Sequence, residues 1–176
     1  MIRLVAVVGP SGAGKDTLMA MACATDPDIR AARRVITRPT NAGGEDFDGV
    51  TEAEFTRRLN AGDFALHWRA HGLGYAIPAR ELTGHGTVLF NLSRAVLRDA
   101  MTRFPDLTVL HVTAPAPVLA ARLAARGRET RADQAQRLER AGFDLPPDIP
   151  LRTVLNQGTT DEGLAHFLNA LQPVRA

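Results

Sequence analysis

The sequence predicts an α/β domain of three layers, in which a mostly parallel sheet carries helices on both faces. Two observations carry that prediction. Short β-branched and aliphatic runs centred on Leu4, Val88, Val109 and Val154 recur between helix-favouring stretches, and the first of them passes straight into a glycine-rich turn that opens a helix. The 176 residues fit a single domain over 1–176, long enough to bury a real core. In sheets of this kind ligands collect outside the carboxyl ends of the strands, where Gly9, Asn91, Ala114 and Asn156 all fall.

Taken in order, 2–8 reads as a buried parallel strand, and 18–24 continues as a helix. Between them lies Gly9-Pro10-Ser11-Gly12-Ala13-Gly14-Lys15-Asp16-Thr17. Strand, glycine loop and helix together form the context of a P-loop, in which glycines let successive backbone N–H groups point inward and the helix N-terminus adds partial positive charge. Lys15 then reaches the β- and γ-phosphates of a nucleotide. One position departs from the usual pattern: Asp16 stands where a Ser or Thr hydroxyl would ligate Mg²⁺, and Thr17 comes one residue late. The alternative reading of the stretch is a strand-to-helix turn that holds no ligand.

Asp26-Pro27-Asp28 marks a turn, and 33–37 reads as a short strand running into Arg38-Pro39 and a polar loop over 41–46. Thr51 and Glu54 have capping-box spacing for an amphipathic helix that ends near Gly62. The segments 64–69 and 74–77 pair around His71-Gly72, and Pro78 opens a brief helix. A second buried strand over 87–91 is followed by a helix capped by Ser93 and ended at Phe104-Pro105-Asp106. A third strand spans 107–113. Pro115 and Pro117 start an alanine- and leucine-rich helix that stops at Gly127, and Thr130 to Asp133 cap another that carries Arg137. The three prolines of 144–150 predict a surface loop. A last strand covers 153–155, and Thr159 to Glu162 cap a terminal helix with Leu164, Phe167, Leu168 and Leu171 on one face.

Composition narrows the function classes. Hydrophobic residues at 45% and charged residues at 23% belong to an ordinary globular protein. Net charge is only +2, and Lys15 is the one lysine, so the remaining cations are arginine forks suited to phosphate or carboxylate. No dense basic run with interleaved aromatics points to nucleic acid. The expected partner is a small anionic molecule, and the sequence specifies no oligomeric state. A lone Cys23 excludes an intrachain disulfide and a cysteine-based metal site, which suits a reducing cytoplasm. The run 4–8 is too short for a signal segment, and nothing approaches the roughly 18 apolar residues of a membrane span. The expected protein is soluble and uncleaved.

If the loop holds ATP, phosphoryl transfer needs positioning and charge neutralisation more than covalent chemistry. Arg126, Arg128 and Arg137, with Arg131, cluster at a helix junction and suit a lid over about 126–145, against the alternative of a solvated helix face. Arg38 suits a phosphate on the acceptor; its alternative is a surface ion pair with Glu45 or Asp46. The five histidines show no metal-binding pair. Tyr75 and Trp68 line a pocket or simply pack, with packing the better reading of Trp68. Asn91 closes a strand where many P-loop enzymes place an aspartate near the metal, so Asp16 is a candidate to supply that negative charge to Mg²⁺, with Thr17 the alternative ligand.

With those residues in view, the chain resembles the guanylate-kinase-like branch of the P-loop kinases over nearly its whole length. Residues 9–15, Thr37-Arg38-Pro39, Glu54-Phe55, the Tyr75 hairpin, and Arg122-Leu123 through Arg137-Leu138 fall in that family's order. The guanine-reading features are missing: Leu66 or His67 takes the place of a glutamate, Asn41 of a second phosphate-binding arginine, Phe47 of a tyrosine, and Asn91 of an aspartate. These departures resemble the ribose 1,5-bisphosphate phosphokinases of phosphonate breakdown. The echoes are Gly14-Lys15-Asp16, Val35-Ile36-Thr37-Arg38-Pro39, Ala42-Gly43-Gly44-Glu45-Asp46, Phe64-Ala65-Leu66-His67-Trp68, Ala70-His71-Gly72-Leu73, Asn91-Leu92-Ser93-Arg94 and Ala125-Arg126-Gly127-Arg128-Glu129.

The resemblance implies a P-loop nucleoside-triphosphate-hydrolase-type three-layer fold, with ATP and Mg²⁺ as cofactors and a phosphorylated sugar as acceptor. It implies transfer of the γ-phosphate of ATP to the 1-phosphate of ribose 1,5-bisphosphate, giving 5-phosphoribosyl 1-diphosphate and ADP. On this expectation the nucleotide sits on 9–17, Lys15, Asp16, Arg126, Arg128 and Arg137 serve transfer, and Asp16 or Thr17 serves the metal. Arg38, Tyr75, Asn91 and Arg94 surround the acceptor, whose binding region is about 34–80. The alternatives are a nucleoside monophosphate kinase and a non-catalytic guanylate-kinase-like interaction module.

Overall fold

The computed structural model describes residues 1–40, 45–125 and 145–172. Strand β1 (Ile2–Val8) is the axis of the molecule, and Val5 to Val8 are wholly buried. It pairs in parallel with β7 (Gly86–Asn91) on one side and β8 (Thr108–Thr113) on the other. The five-stranded sheet has the order β2-β7-β1-β8-β9, with β2 at Ile29–Ala31 and β9 at Arg152–Leu155, and every pairing in it is parallel.

Alternation along β1 splits the core in two. Val5 and Val7 face a cluster with Leu18, Met19 and Ala22 of α1 (Lys15–Thr25), Leu119 of α4 (Ala116–Ala125), and Phe167 and Leu171 of α5 (Thr160–Leu171). Ala6 and Val8 face the other cluster, which holds Leu97 and Ala100 of α3 (Leu97–Arg103) together with Leu66, Trp68 and Ile77 of a second sheet. Helices therefore cover both faces of the parallel sheet, as expected.

The second sheet has the order β4-β3-β6-β5, from Phe47–Gly49, Arg34–Ile36, Leu73–Pro78 and Phe64–Ala70. Strands β5 and β6 form a hairpin in which Ala70 pairs with Leu73, so the loop is the two residues His71 and Gly72. Both have positive φ, +53° and +73°, the backbone that matches a two-residue turn to the twist of its strands. Helix α2 (Glu52–Asn60) covers the sheet through Phe55, which joins Val35, Phe64 and Ala76 in a small core of its own.

Three local expectations are corrected. Strands β2 and β4 lie just past the turn at 26–28 and the loop at 41–46, where the sequence assigns no element; each is three residues long and is made a strand by its pairing with Thr87–Leu89 or Arg34–Ile36. The capping box at α2 is half made: Thr51 Oγ1 accepts from the Glu54 N–H at 3.2 Å, but the Glu54 carboxylate turns to Arg57 at 2.7 and 2.8 Å. The proline-rich stretch is more than a surface loop, since Ile149 is buried in the core cluster that Ala6 and Val8 face, and Leu145 and Leu151 pack against that cluster. The helix expected after Thr130 lies outside the described residues.

Candidate active site

The carboxyl end of β1 delivers the chain into the 9–17 loop, and three glycines there hold left-handed backbone: Gly9 at φ +150°, Gly12 at +85° and Gly14 at +89°. A Cβ on Gly9 would stand 1.9 Å from the carbonyl oxygen of Val112, so only glycine lets the loop pass under the end of β8. Gly14 is the N-cap of α1 and no side chain caps that helix, which leaves its first N–H groups to the concave side of the loop. Lys15 folds back over the loop, its Nζ donating to the carbonyls of Gly9 at 2.8 Å and Pro10 at 3.0 Å.

Asn156, just past β9, braces the loop from below. Its side chain is buried, and Nδ2 donates to the Ala13 carbonyl at 2.9 Å. The amide fills the space that a side chain at Gly14 or Gly163 would need, with ideal Cβ positions 2.5 Å and 2.4 Å from its terminal atoms. Arg122 of α4 adds a long contact to the Gly12 carbonyl at 3.5 Å. Neither residue was expected to serve the site, although Asn156 sits at a strand end where such a role is looked for.

The loop forms one wall of a cleft of about 430 Å³. Gly9, Pro10, Ser11, Lys15 and Asp16 line it from the loop side, Asn91 to Ala95 from the end of β7, and Arg34, Trp68, Ala70, His71 and Tyr75 from the second sheet. Lys15, Asp16, Tyr75, Asn91 and Arg94 are thus gathered in one place. Asn91 Nδ2 donates to Asp16 Oδ1 at 2.8 Å, so the strand-end amide orients the unusual carboxylate of the loop. Asp16 lines the cleft and Thr17 does not. Arg94 is half-buried, and that burial pushes its guanidinium below its ordinary value.

Other expectations distribute differently. Arg38 does not line the cleft; its guanidinium lies 4.3 Å from the centre of the Phe47 ring. The carboxylates considered for it pair elsewhere, Glu45 with Arg34 and Asp46 with Arg33. Arg126, Arg128 and Arg137 lie outside the described residues. Trp68 both packs and lines the cleft: it is 8% exposed and stacks on Tyr75 with ring centres 5.5 Å apart. Leu66 is core, and His67 is exposed away from the cleft, so neither place compared with a guanine reader presents a polar group there. Among the described residues no cluster of His, Cys, Asp or Glu forms a metal centre.

The donor set suits polyphosphate: a backbone cradle, an amine, arginine forks and, among the described residues, a single lining carboxylate, Asp16. No family model matches the chain. Among curated proteins, the chain is 48% identical over 178 residues to the ribose 1,5-bisphosphate phosphokinase PhnN of Ruegeria sp. (strain TM1040), covering 98% of this chain and 93% of that one. It is 43% identical over 175 residues to the protein of that name from Agrobacterium fabrum (strain C58), covering 96% of each. A bifunctional ribose 1,5-bisphosphokinase-thymidine phosphorylase of Cupriavidus necator is 49% identical over 170 residues, and the chain spans 28% of that protein's length. Among solved structures, guanylate kinase from Anaplasma phagocytophilum aligns over 97% of this chain and 87% of that one with a TM-score of 0.64 and 15% identity, a likeness of fold alone.

Proposed function

The chain belongs to the ribose 1,5-bisphosphate phosphokinase family, and on that premise we propose that it transfers the γ-phosphate of ATP to the 1-phosphate of ribose 1,5-bisphosphate, yielding 5-phosphoribosyl 1-diphosphate and ADP. The observation that carries the proposal is the composition of the cleft. Lys15, Arg34 and Arg94 line it with Trp68 and Tyr75, and Asp16 is its one carboxylate among the described residues. Such a wall attracts a polyanion and offers no second acid to read a base edge. Discrimination by hydrogen bonding requires the polar partner to be present, and a site without it does not select a base.

In this reading the 9–17 loop binds the nucleotide. Lys15 exchanges its two carbonyl partners for β- and γ-phosphate oxygens. Bound Mg²⁺ supplies neutralisation of the phosphates in the transition state. Asp16 is the residue that would hold it, presented by Asn91 through one oxygen, while Thr17 is the alternative. Tyr75 of the region 34–80 positions the acceptor together with Asn91 and Arg94, while Arg38 lies on the Phe47 ring. Arg126, Arg128 and Arg137 belong to the proposed lid over 126–145. A cytoplasmic enzyme serving phosphonate breakdown fits this activity, and no described helix is long and apolar enough to cross a membrane.

The test is the identity of the product. Incubated with ATP, Mg²⁺ and ribose 1,5-bisphosphate, the protein should give the coupled phosphorus doublets of a sugar diphosphate by ³¹P NMR in step with ADP. Phosphorus signals that remain those of monoesters refute the proposal.

A further inference from the structure

One firmly anchored cation of the cleft lies outside the residues that the sequence singles out. Arg34 opens β3, is only 8% exposed, and still lines the same cleft as Lys15 and Asp16. Its guanidinium is fixed by side chain, backbone and ring contacts. Nε donates to Glu45 Oε2 at 2.8 Å and Nη2 to Glu45 Oε1, while Nη1 donates to the Asn91 carbonyl at 3.3 Å. Its Cζ lies 5.4 Å from the centre of the Tyr75 ring and 5.8 Å from that of Trp68. A guanidinium has five N–H donors, and these bonds use three, which leaves one N–H on each of Nη1 and Nη2 for phosphate oxygens.

An arginine pinned in this way does not follow a moving group. It suits a phosphate that stays still while another one reacts. Asn91 ties it to the reacting side, because its backbone carbonyl accepts from Arg34 while its side chain orients Asp16. We propose that Arg34 binds the phosphate of the sugar acceptor that takes no part in transfer, with Glu45 as its positioning residue. The inference rests on the sugar-bisphosphate reading above.

The test is calorimetric binding of ribose 5-phosphate, which carries the non-reacting phosphate and lacks the 1-phosphate, so that no turnover is needed. Arg34→Gln should weaken its binding roughly 10- to 100-fold, the loss of a charge-assisted fork. The acceptor KM should rise by a similar factor, kcat should change less, and affinity for a non-hydrolysable ATP analogue should hold. Arg34→Lys should recover little, since an ammonium lacks the fork. Glu45→Gln keeps the guanidinium but loosens it, and should give an intermediate loss. Should Arg34→Gln fail to fold, the double variant Arg34→Gln/Glu45→Gln replaces the ion pair by an amide pair and carries the same readout. Equal binding of ribose 5-phosphate to the wild type and a folded Arg34 variant overturns the proposal, as does its failure to bind the wild type. Arg34-dependent binding without turnover of ribose 1,5-bisphosphate would instead overturn the reaction and leave this phosphate site standing.

Discussion

At the scale of single residues, Asp16 is the departure from the usual P-loop that the proposed metal chemistry depends on. Its position in the P-loop is legible in the sequence, and so is the missing aspartate at Asn91; the 2.8 Å hydrogen bond between the two is not, because 75 residues separate them. Asp16→Ser should shift the Mg²⁺ concentration for half-maximal rate upward and lower turnover, measured as initial rate against free Mg²⁺ at saturating substrates. An unchanged Mg²⁺ curve contradicts the metal role. Arg34 was invisible for a related reason: its meaning comes from Glu45, Asn91, Trp68 and Tyr75, which only the paired strands assemble around it. His111 on β8 gives a pH prediction. Burial pushes its imidazole below the ordinary value, and the Arg94 and Lys15 charges add to the effect. The unfolded chain then binds that proton more readily than the folded one, so stability falls as pH drops through about 6.5, the unfolded histidine value, towards the lower folded one. Thermal melts between neutral and mildly acid pH should show this loss, and His111→Gln should reduce it.

At the scale of elements, the long buried strands and the amphipathic terminal helix were legible because pattern alone specifies them: β1 and β7 are apolar on both faces, and α5 carries its apolar stripe between a cap and a stop. Three-residue strands such as β2 and β4 were not, since their hydrogen-bonding partners rather than their composition make them strands. Helix α5 has a complete capping box, with the Glu162 N–H donating to Thr159 Oγ1 at 3.3 Å and the Thr159 N–H donating to Glu162 Oε2 at 2.7 Å. The Thr159 N–H, and after it the Thr159 hydroxyl, both donating to Glu162 Oε2, draw the Glu162 carboxyl below its usual range, so the cap stabilises above the ordinary carboxylate pKa and is lost as pH falls through the lowered one. Thr159→Ala should cost about 1 kcal/mol in urea unfolding at neutral pH. Asn156, at the other end of the same turn, couples this helix to the P-loop. Asn156→Ala leaves the Ala13 carbonyl without its donor in a buried site and should cost about 1–3 kcal/mol. It should also raise the KM for ATP more than that for the acceptor, as measured by initial rates; equal effects on both would show a general packing role instead.

For the whole molecule, one parallel sheet supplies the phosphate cradle and a second, smaller sheet supplies the facing wall of the cleft. The sequence announced the glycine loop and, of the second sheet, the hairpin whose two segments pair around His71-Gly72. It did not announce the arginine that the second sheet brings to the cleft, nor that Arg38 would lie outside its lining. Fold alone relates the protein to guanylate kinase at 15% identity. In the cleft wall, Leu66 is turned into the core and stacked Trp68 and Tyr75 lie beneath Arg34. The most direct test is therefore ADP release with ribose 1,5-bisphosphate, GMP and ribose 5-phosphate as rival acceptors under identical conditions. The kcat/KM for ribose 1,5-bisphosphate should exceed that for each of the others by orders of magnitude; a preference for GMP would contradict the sugar-bisphosphate kinase reading.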